Sequence, residues 1–471
     1  MTLKFQFVQI MRLLVSISFL LTFFACTTCT KKELTPKLMI SENRRFITTE
    51  SGEPFFWLGD TGWLLFTKLS REEAGEYFLD RKQKGFNVIQ VMIIHDIMKA
   101  INIYGDSALV CHDISQPLTT EGSSFKNPVQ YDFWDHVDYL IDLAQKNGLY
   151  MALVPVWGSN VRSGHVSEKQ AGIYSAWLAD RYKDKSNIIW VNGGDVYGSD
   201  SINVWRKIGN TINEKCPAQL ITFHPFGRSQ SSKWFQNEAW LDFNMFQSGH
   251  RRYDQDTSGL SYGEDNWKYA QDDYIKIPVK PTLDGEPSYE GIPQGLHDPQ
   301  QPYWTDSEVR RYAYWSVFAG ACGFTYGHNA IMQFHKSGDL NPAYGVREYW
   351  DIALNSPGAS QMKYLKLLMM SRSYFDRIPD REILADVTAE KYDYVAATRG
   401  SDYAFIYTWN GSVINVNSDV LCSDDFKASW FNPRNGDVTT IGNFKCTGIG
   451  TFDPPGEKEN GNDWILIIDC K

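Results

Sequence analysis

The feature that most constrains this chain is an alternation running from about residue 46 to residue 327. Short apolar, β-rich runs (FFWLG, FNVIQVMII, LYMALVPVW, IIWVNGG, QLITFH, DFNMFQ, VKPTLDGE and GFTYG) are separated by longer segments that often read as helices. In SREEAGEYFLDRKQKG, FWDHVDYLIDLAQKNG and KQAGIYSAWLADRYKD the apolar residues recur three and four apart, and the first two end on a glycine. Near-continuous apolar strands alternating with helices predict a parallel sheet covered on both faces. Eight such runs over about 290 residues fit a (β/α)8 barrel. An open, doubly wound sheet is the alternative.

At 471 residues the chain is longer than one barrel needs. After about Asp376 the pattern changes: YVAATRGSDYAFIYTW, DDFKASWFNPRNGDVTTIG and NDWILIIDC alternate with period two and are joined by Asn/Gly/Pro turns. The expected organisation is a barrel over 43–375 and a small β-sandwich over 376–471. Hydrophobic residues at 43% and charged residues at 22% exclude a disordered chain. A net charge of −10 argues against nucleic acid as a partner, because phosphate contacts need a basic surface. The 16 Trp and 25 Tyr fit either large cores or a cleft whose flat rings stack on sugars, and composition leaves both open.

The stretch MRLLVSISFLLTFFAC pairs Arg12 with a short apolar run and a small residue before Cys26. It resembles the lipobox of bacterial lipoproteins, with a signal peptide over 1–25, lipidation at Cys26 and a polar tether over 26–42. The run is short for a membrane span, so membrane contact is expected only through the lipid. Thr27 rather than Asp after Cys26 points to the outer membrane, at its periplasmic face or the cell surface. Cys422, Cys446 and Cys470 allow one disulfide in an exported protein.

Barrel enzymes build their sites where strands end, and each run here ends in polar or aromatic residues. In order they are Asp60 and Trp63, His95 and Asp96, Trp157 and Asn160, Asn192 and Asp195, His224, Gln247 and His250, Asp284 and Glu286, and Tyr326, His328 and Asn329. Singly, an Asp here caps a helix and a His satisfies a core. Eight such ends on one rim resemble a sugar pocket. Of these, Asp60, Trp63, His95, Asp96, Trp157, Asn192, His224, Gln247, His250, Asp284 and His328 are the expected substrate-binding set. Arg162, His165, Arg228, Arg251 and Arg252 lie in the loops beyond and are candidates for binding a uronic acid. There is no HExxH, phosphate-binding glycine loop or GxSxG, and no zinc-type spacing. No metal or organic cofactor is expected.

The chemistry then falls to carboxylates. Glycoside hydrolysis needs one protonated acid beside the leaving oxygen and one ionised carboxylate facing the anomeric carbon. The chain resembles the largest group of retaining barrel glycosidases, whose acid follows strand four after an Asn and whose nucleophile ends strand seven. Asn192-Gly-Gly-Asp195 and Asp284-Gly-Glu286 occupy those places. Asp195 replaces the commoner Glu and is one methylene shorter. Asp284, two residues before Glu286, is expected to share its face.

The segments RRFITTESGEPFFWLGDTGWLLFTKLSREEAGEYFLDRKQKGFNVIQVMII, IIWVNGGDVYG and PTLDGEPSYEGIP resemble the apiosidase-like glycoside hydrolases of gut Bacteroidetes over about Asn43 to Arg372. GDTGW and NGGD are the specific stretches. The resemblance implies a retaining mechanism with Asp195 as acid/base and Glu286 as nucleophile. It also implies release of apiose-linked side chains from the pectin rhamnogalacturonan II. The tail resembles a module that accompanies this barrel and is labelled collagen-binding, though nothing in it resembles a collagen site; a packing role is the expectation. Two alternatives stand: a surface glycan-binding lipoprotein on an inactive barrel, and a retaining glycosidase of other sugar specificity. The expected partner is an oligosaccharide or polysaccharide; nothing in the sequence speaks to oligomeric state.

Overall fold

The computed structural model describes residues 35–471, apart from 257, 258, 260 and 388, and they form one compact unit. The expected signal peptide, Cys26 and most of the tether lie outside the described residues. The tether reading needs correction at its end. Leu38–Ile40 is a strand, paired antiparallel with Ile47–Thr49, which pairs in turn with Pro54–Phe55. Leu38 is buried there, so this stretch is drawn into the fold by apolar side chains rather than left as a polar linker. Its neighbour Phe55 packs edge-on against Tyr150, at the start of a barrel strand, with ring centroids 5.1 Å apart. The small sheet therefore covers the end of the barrel opposite the strand C-termini.

The eight apolar runs all form strands: β1 (Trp57–Thr61), β2 (Val88–Ile94), β3 (Tyr150–Val156), β4 (Ile188–Val196), β5 (Ile221–Pro225), β6 (Asn244–Gln247), β7 (Thr282–Asp284) and β8 (Gly323–Tyr326). They run parallel in the order β5-β4-β3-β2-β1-β8-β7-β6, and β8 returns to β1 with Phe324 opposite Leu58 and Tyr326 opposite Asp60. The remaining seam, between β5 and β6, is bridged by Asp242 N to Ile221 O (2.9 Å) and Thr222 Oγ1 to Phe243 O (2.7 Å). The result is a nearly closed barrel. Every residue of β2 and β3 is buried, as a sheet covered on both faces requires.

The principal helices are α1 (Arg71–Gln83), α2 (Phe133–Lys146), α3 (Glu168–Tyr182), α4 (Ile202–Lys215), α5 (Asn266–Tyr274), α6 (Asp306–Phe318) and α7 (Pro357–Met369). Their starts are set locally. Ser70 with Glu73, Asp132 with Asp135, Ser167 with Gln170 and Thr305 with Glu308 form reciprocal caps that satisfy otherwise unpaired amides. Among the described residues, no helix is long and apolar enough to cross a membrane.

The C-terminal sheet comprises β9 (Ile378–Pro379), β10 (Val395–Arg399), β11 (Tyr403–Thr408), β13 (Asp425–Phe431), β14 (Val438–Lys445) and β16 (Trp464–Cys470), ordered β9-β10-β11-β16-β13-β14. The pair β12 (Ile414–Asn417) and β15 (Ile449–Phe452) packs with it. A Cys422–Cys470 disulfide ties the end of β16 to the loop before β13, and Cys446 is unpaired.

This sheet is fastened to α6. Arg310 makes a two-pronged pair with Asp463 (2.8 and 2.9 Å), and Tyr407 Oη adds a third bond to Asp463 (3.2 Å). Tyr314 stacks on Tyr407, and Trp267 of α5 stacks on Tyr394, with centroids 4.8 and 4.1 Å apart. Arg310 and Asp463 are both buried. Without Asp463, Arg310 keeps only its half-buried partner Asp306 (2.5 Å) and loses the two-pronged contact that answers its charge across the interface. Asp463→Ala should cost about 3–5 kcal/mol by denaturant unfolding. The double change Arg310→Met, Asp463→Leu should cost clearly less. Equal losses would mean that shape, not charge, holds the interface.

Candidate active site

The site is assembled at the C-terminal ends of the barrel strands. At the end of β4 the chain must turn sharply within a packed wall. Gly193 and Gly194 take φ values of +89° and +110°, and Asp195 follows at +48°. A Cβ on Gly193 would lie 2.6 Å from His224 O, and one on Gly194 would lie 2.4 Å from the Trp157 ring. The pairing of β4 with β5 slips between Gly193 and Val196. This bulge breaks the in–out alternation and aims Asp195 into the barrel mouth, which is what the Gly-Gly-Asp sequence achieves.

Glu286 stands two residues beyond β7 and is 6% exposed. Its Oε1 lies 3.2 Å from His250 Nε2 and its Oε2 lies 3.0 Å from His224 Nε2. His250 Nδ1 accepts from the Tyr289 amide (3.4 Å). Nε2 is therefore the protonated nitrogen and donates to Glu286. Burial pushes the Glu286 carboxyl up, but the two imidazoles outweigh it and bring it down to about 2. Asp195 behaves oppositely. Burial and the negative charge of Glu286 push it up to about 6, against weaker lowering by His224, Gln247 and His250. His224 is raised: burial opposes its charge, but Glu286 and Asp195 favour it more strongly. One oxygen each from Asp195 and Glu286 and one nitrogen of His224 lie within 4.8 Å of one another. Nearby pairs of carboxyls driven apart in this way divide into an acid and a base.

A cavity of about 710 Å³, its open mouth included, surrounds the pair. Of the expected residues, Trp63, His95, Trp157, Gln247 and His250 line it together with Asp195 and Glu286. His224 lies one layer back, fully buried, with the Trp63 and Trp157 rings 5.5 and 5.6 Å from its own. Asn160 serves the wall by donating to His95 O (2.8 Å) and accepting from Ile97 N (3.1 Å).

Five expected binding residues belong elsewhere. Asp60 is buried against Arg81 Nε (2.9 Å) and Tyr77 Oη (2.6 Å), pinning α1 to β1. Asp96 caps a short helical turn through Met98 N (2.9 Å). Asn192 spends its amide on Trp205 O (2.8 Å) and its own neighbour's amide. His328 caps the turn after β8 through Ala330 N and faces Glu348. Asp284 does not share a face with Glu286, because β7 ends at Asp284 and the two-residue period ends with it. It holds Ser248, Asn266 and Ser316 between sheet and helices, and burial pushes it up to about 7. The cationic rim is also corrected. None of Arg162, His165, Arg228, Arg251 and Arg252 lines the cavity. Arg228, in the loop after β5, is paired with Asp256 in the loop after β6 (2.6 Å), and Arg252 with Asp254 in its own loop (2.9 Å), so neighbouring acids answer both.

Sequence reasoning passed over Tyr289, Gln333 and Tyr344, which complete the wall. The Tyr289 phenol is held well above its ordinary range by burial and by Glu286. Tyr344 is raised to about 12 by burial and the charges of Asp195 and Glu286. Tyr289, three residues after Glu286, was within reach of the motif. Gln333 and Tyr344 come from the long loop after β8, which carries no local signal. Among the described residues, Asp195, His224 and Glu286 are also the group with ligand atoms close enough to hold a metal ion. A cation there would have to displace the imidazole contact that holds Glu286.

Residues 41–376 match the family model described as "Apiosidase-like, catalytic domain", and residues 378–469 match "Putative collagen-binding domain of a collagenase". A solved structure titled glycoside hydrolase is 44% identical, with TM-score 0.86, covering 93% of this chain and 97% of its own. A second, a glycoside hydrolase family 5 structure from Bacteroides vulgatus, is 41% identical, with TM-score 0.86, covering 92% and 93%. No curated protein matches the chain.

The electrostatics can be tested without turnover. In Glu286→Gln the charge that raises both neighbours is gone. Asp195 should titrate lower and His224 should lose its proton at lower pH than in the parent. Carboxyl and imidazole NMR titrations read both, and unchanged values would show that Glu286 does not set them.

Proposed function

Because the chain belongs to the apiosidase-like glycoside hydrolases, we propose that it cleaves apiose-linked side chains from rhamnogalacturonan II by a retaining mechanism. The observation that carries the mechanism is the approach of the Asp195 and Glu286 carboxyl oxygens to within 4.8 Å. Retaining enzymes keep their carboxyls about 5–5.5 Å apart, whereas inverting ones leave about 6.5–9.5 Å for a water. The opposite environments of the two groups support the assignment of roles.

In this reading Glu286, ionised between two imidazoles, attacks the anomeric carbon while Asp195 gives its proton to the departing oxygen. Asp195, now a carboxylate, takes a proton from water as that water displaces Glu286 from the sugar. His224 and His250 stabilise the Glu286 carboxylate as it leaves. Trp63 and Trp157 offer apolar faces to the sugar, and His95, Gln247 and His250 offer polar edges. Two carboxylates and water balance the reaction, so no metal or organic cofactor enters it. A merely glycan-binding barrel would have no use for two carboxyls driven apart in acidity.

Incubation with rhamnogalacturonan II fragments, with products identified by mass, tests the substrate. The first product should keep its anomeric configuration by NMR; an inverted product overturns the mechanism. Glu286→Gln should lower kcat on the order of 10^4-fold or more. Asp195→Asn should lower it about 10²–10⁴-fold, and least for substrates with good leaving groups. The pH profile follows from the two shifts. Glu286 is ionised above about 2 and Asp195 keeps its proton below about 6. So kcat/KM should fall as pH rises through about 6, and Asp195→Asn should lose that limb. Dialysis against a chelator should leave turnover intact; restoration of lost turnover by one divalent ion would refute the metal-free reading.

We also place the protein at the outer membrane as a lipoprotein, on the strength of the leader and Cys26. Cys26→Ala should abolish labelling by radioactive palmitate and release the protein from the membrane fraction.

A further inference from the structure

We infer that Tyr197, backed by Phe226 and Trp234, is the stacking platform for the sugar on the leaving-group side of the cleaved bond. This rests on the glycosidase reading and extends it to a second sugar ring.

An acid that protonates the departing oxygen must lie on the leaving group's side, so the next sugar passes over the chain that carries Asp195. Two residues further on, Tyr197 is 44% exposed, while Tyr174 and Tyr182 on α3 and Tyr269 on α5 are 1% exposed or less. Its ring lies 4.9 Å from Phe226 and 5.9 Å from Trp234, both only partly buried. The platform is fixed to the site on both sides. Phe226 N donates to Val196 O (2.9 Å), tying the loop after β5 to the bulge that aims Asp195. Arg228 N donates to the carbonyl of Gln247, whose side chain lines the cavity (2.6 Å). A Cβ on the intervening Gly227 would lie 3.8 Å from that Gln247 side chain. Below Tyr197, a Cβ on Gly198 would lie 2.6 Å from Phe235 and 2.8 Å from Trp234. The turn therefore seats directly on the aromatic base, and the Tyr197 ring, tilted against both of its neighbours, stays partly exposed. Tyr197 does not line the cavity around Asp195 and Glu286, so a sugar that it holds lies outside that cavity, where a leaving group extends. Its ring, apolar on its face and polar at its hydroxyl, suits the C–H face of a pyranose or furanose.

The test compares two substrates in the full chain. Rhamnogalacturonan II fragments place a sugar in the leaving group, and 4-nitrophenyl apioside does not. The ratio of their kcat/KM values should fall about 10-fold in Tyr197→Ala, since binding energy from a remote ring is expressed in kcat/KM. It should return to near the parent value in Tyr197→Phe, which keeps the ring and loses only the hydroxyl. In the Glu286→Gln background, the Kd for the fragments should weaken by a similar factor when Tyr197→Ala is added. A parental ratio in Tyr197→Ala, or an equal fall in Tyr197→Phe, would overturn the platform. If the parent enzyme cleaves neither substrate, the apiose reading fails, and the subsite with it.

Discussion

A closed parallel sheet buries both faces of its strands, and the rest of this molecule follows from that constraint. Side chains on β2 and β3 meet apolar neighbours on either side, so polar chemistry is displaced to the strand ends and the loops beyond. One rim receives the residues that line the cavity. The opposite end is covered by the small sheet that begins at Leu38. Within the rim, a charge can stand only where another group answers it. Glu286 is answered by His224 and His250, and the negative charge held there in turn raises Asp195. The opposite shifts of the two carboxyls thus descend from the burial that the barrel imposes.

The same requirement explains the charged residues away from the cavity. Asp60 with Arg81, Asp463 with Arg310 and Glu264 with Arg311 are buried pairs that join one element to another. The last also reaches the site's surroundings. Glu264 accepts from Tyr253 N (3.0 Å), in the loop after β6, and from Tyr392 Oη (2.8 Å), in the C-terminal domain. That loop continues back to His250, whose carbonyl accepts from Gly295 N (2.7 Å). The C-terminal domain thus packs on α6 and bonds to the loop that follows a Glu286 partner, in keeping with a bracing role.

Much of the site was legible because its signals are local. Asp195 and Glu286 follow their strands within a few residues, and the glycines before Asp195 announce a bend. Trp63, Trp157, Gln247 and His250 stand at strand ends and were found for that reason. Asp60, Asp96, Asn192 and His328 stand at strand ends too, yet they cap turns or answer buried groups. Sequence position gives the rim; it does not give the direction of a side chain once the regular strand stops. Asp284 shows this most plainly, since the two-residue period that linked it to Glu286 ends with β7.

The sequence by itself determined the barrel, its eight strands, the β-rich tail and the rim on which chemistry is built. It could do so because periodicity and caps are properties of neighbouring residues. The tertiary structure alone decided which rim residues meet. His224, on β5, and His250, in the loop after β6, converge on a glutamate 62 and 36 residues away in the chain. Tyr344 reaches the cavity from a loop without a pattern of its own. Pairing between distant residues depends on closure of the sheet and on register, which no local run encodes. For the same reason Arg228 and Arg252, exposed cations in the sequence, are already neutralised in the fold.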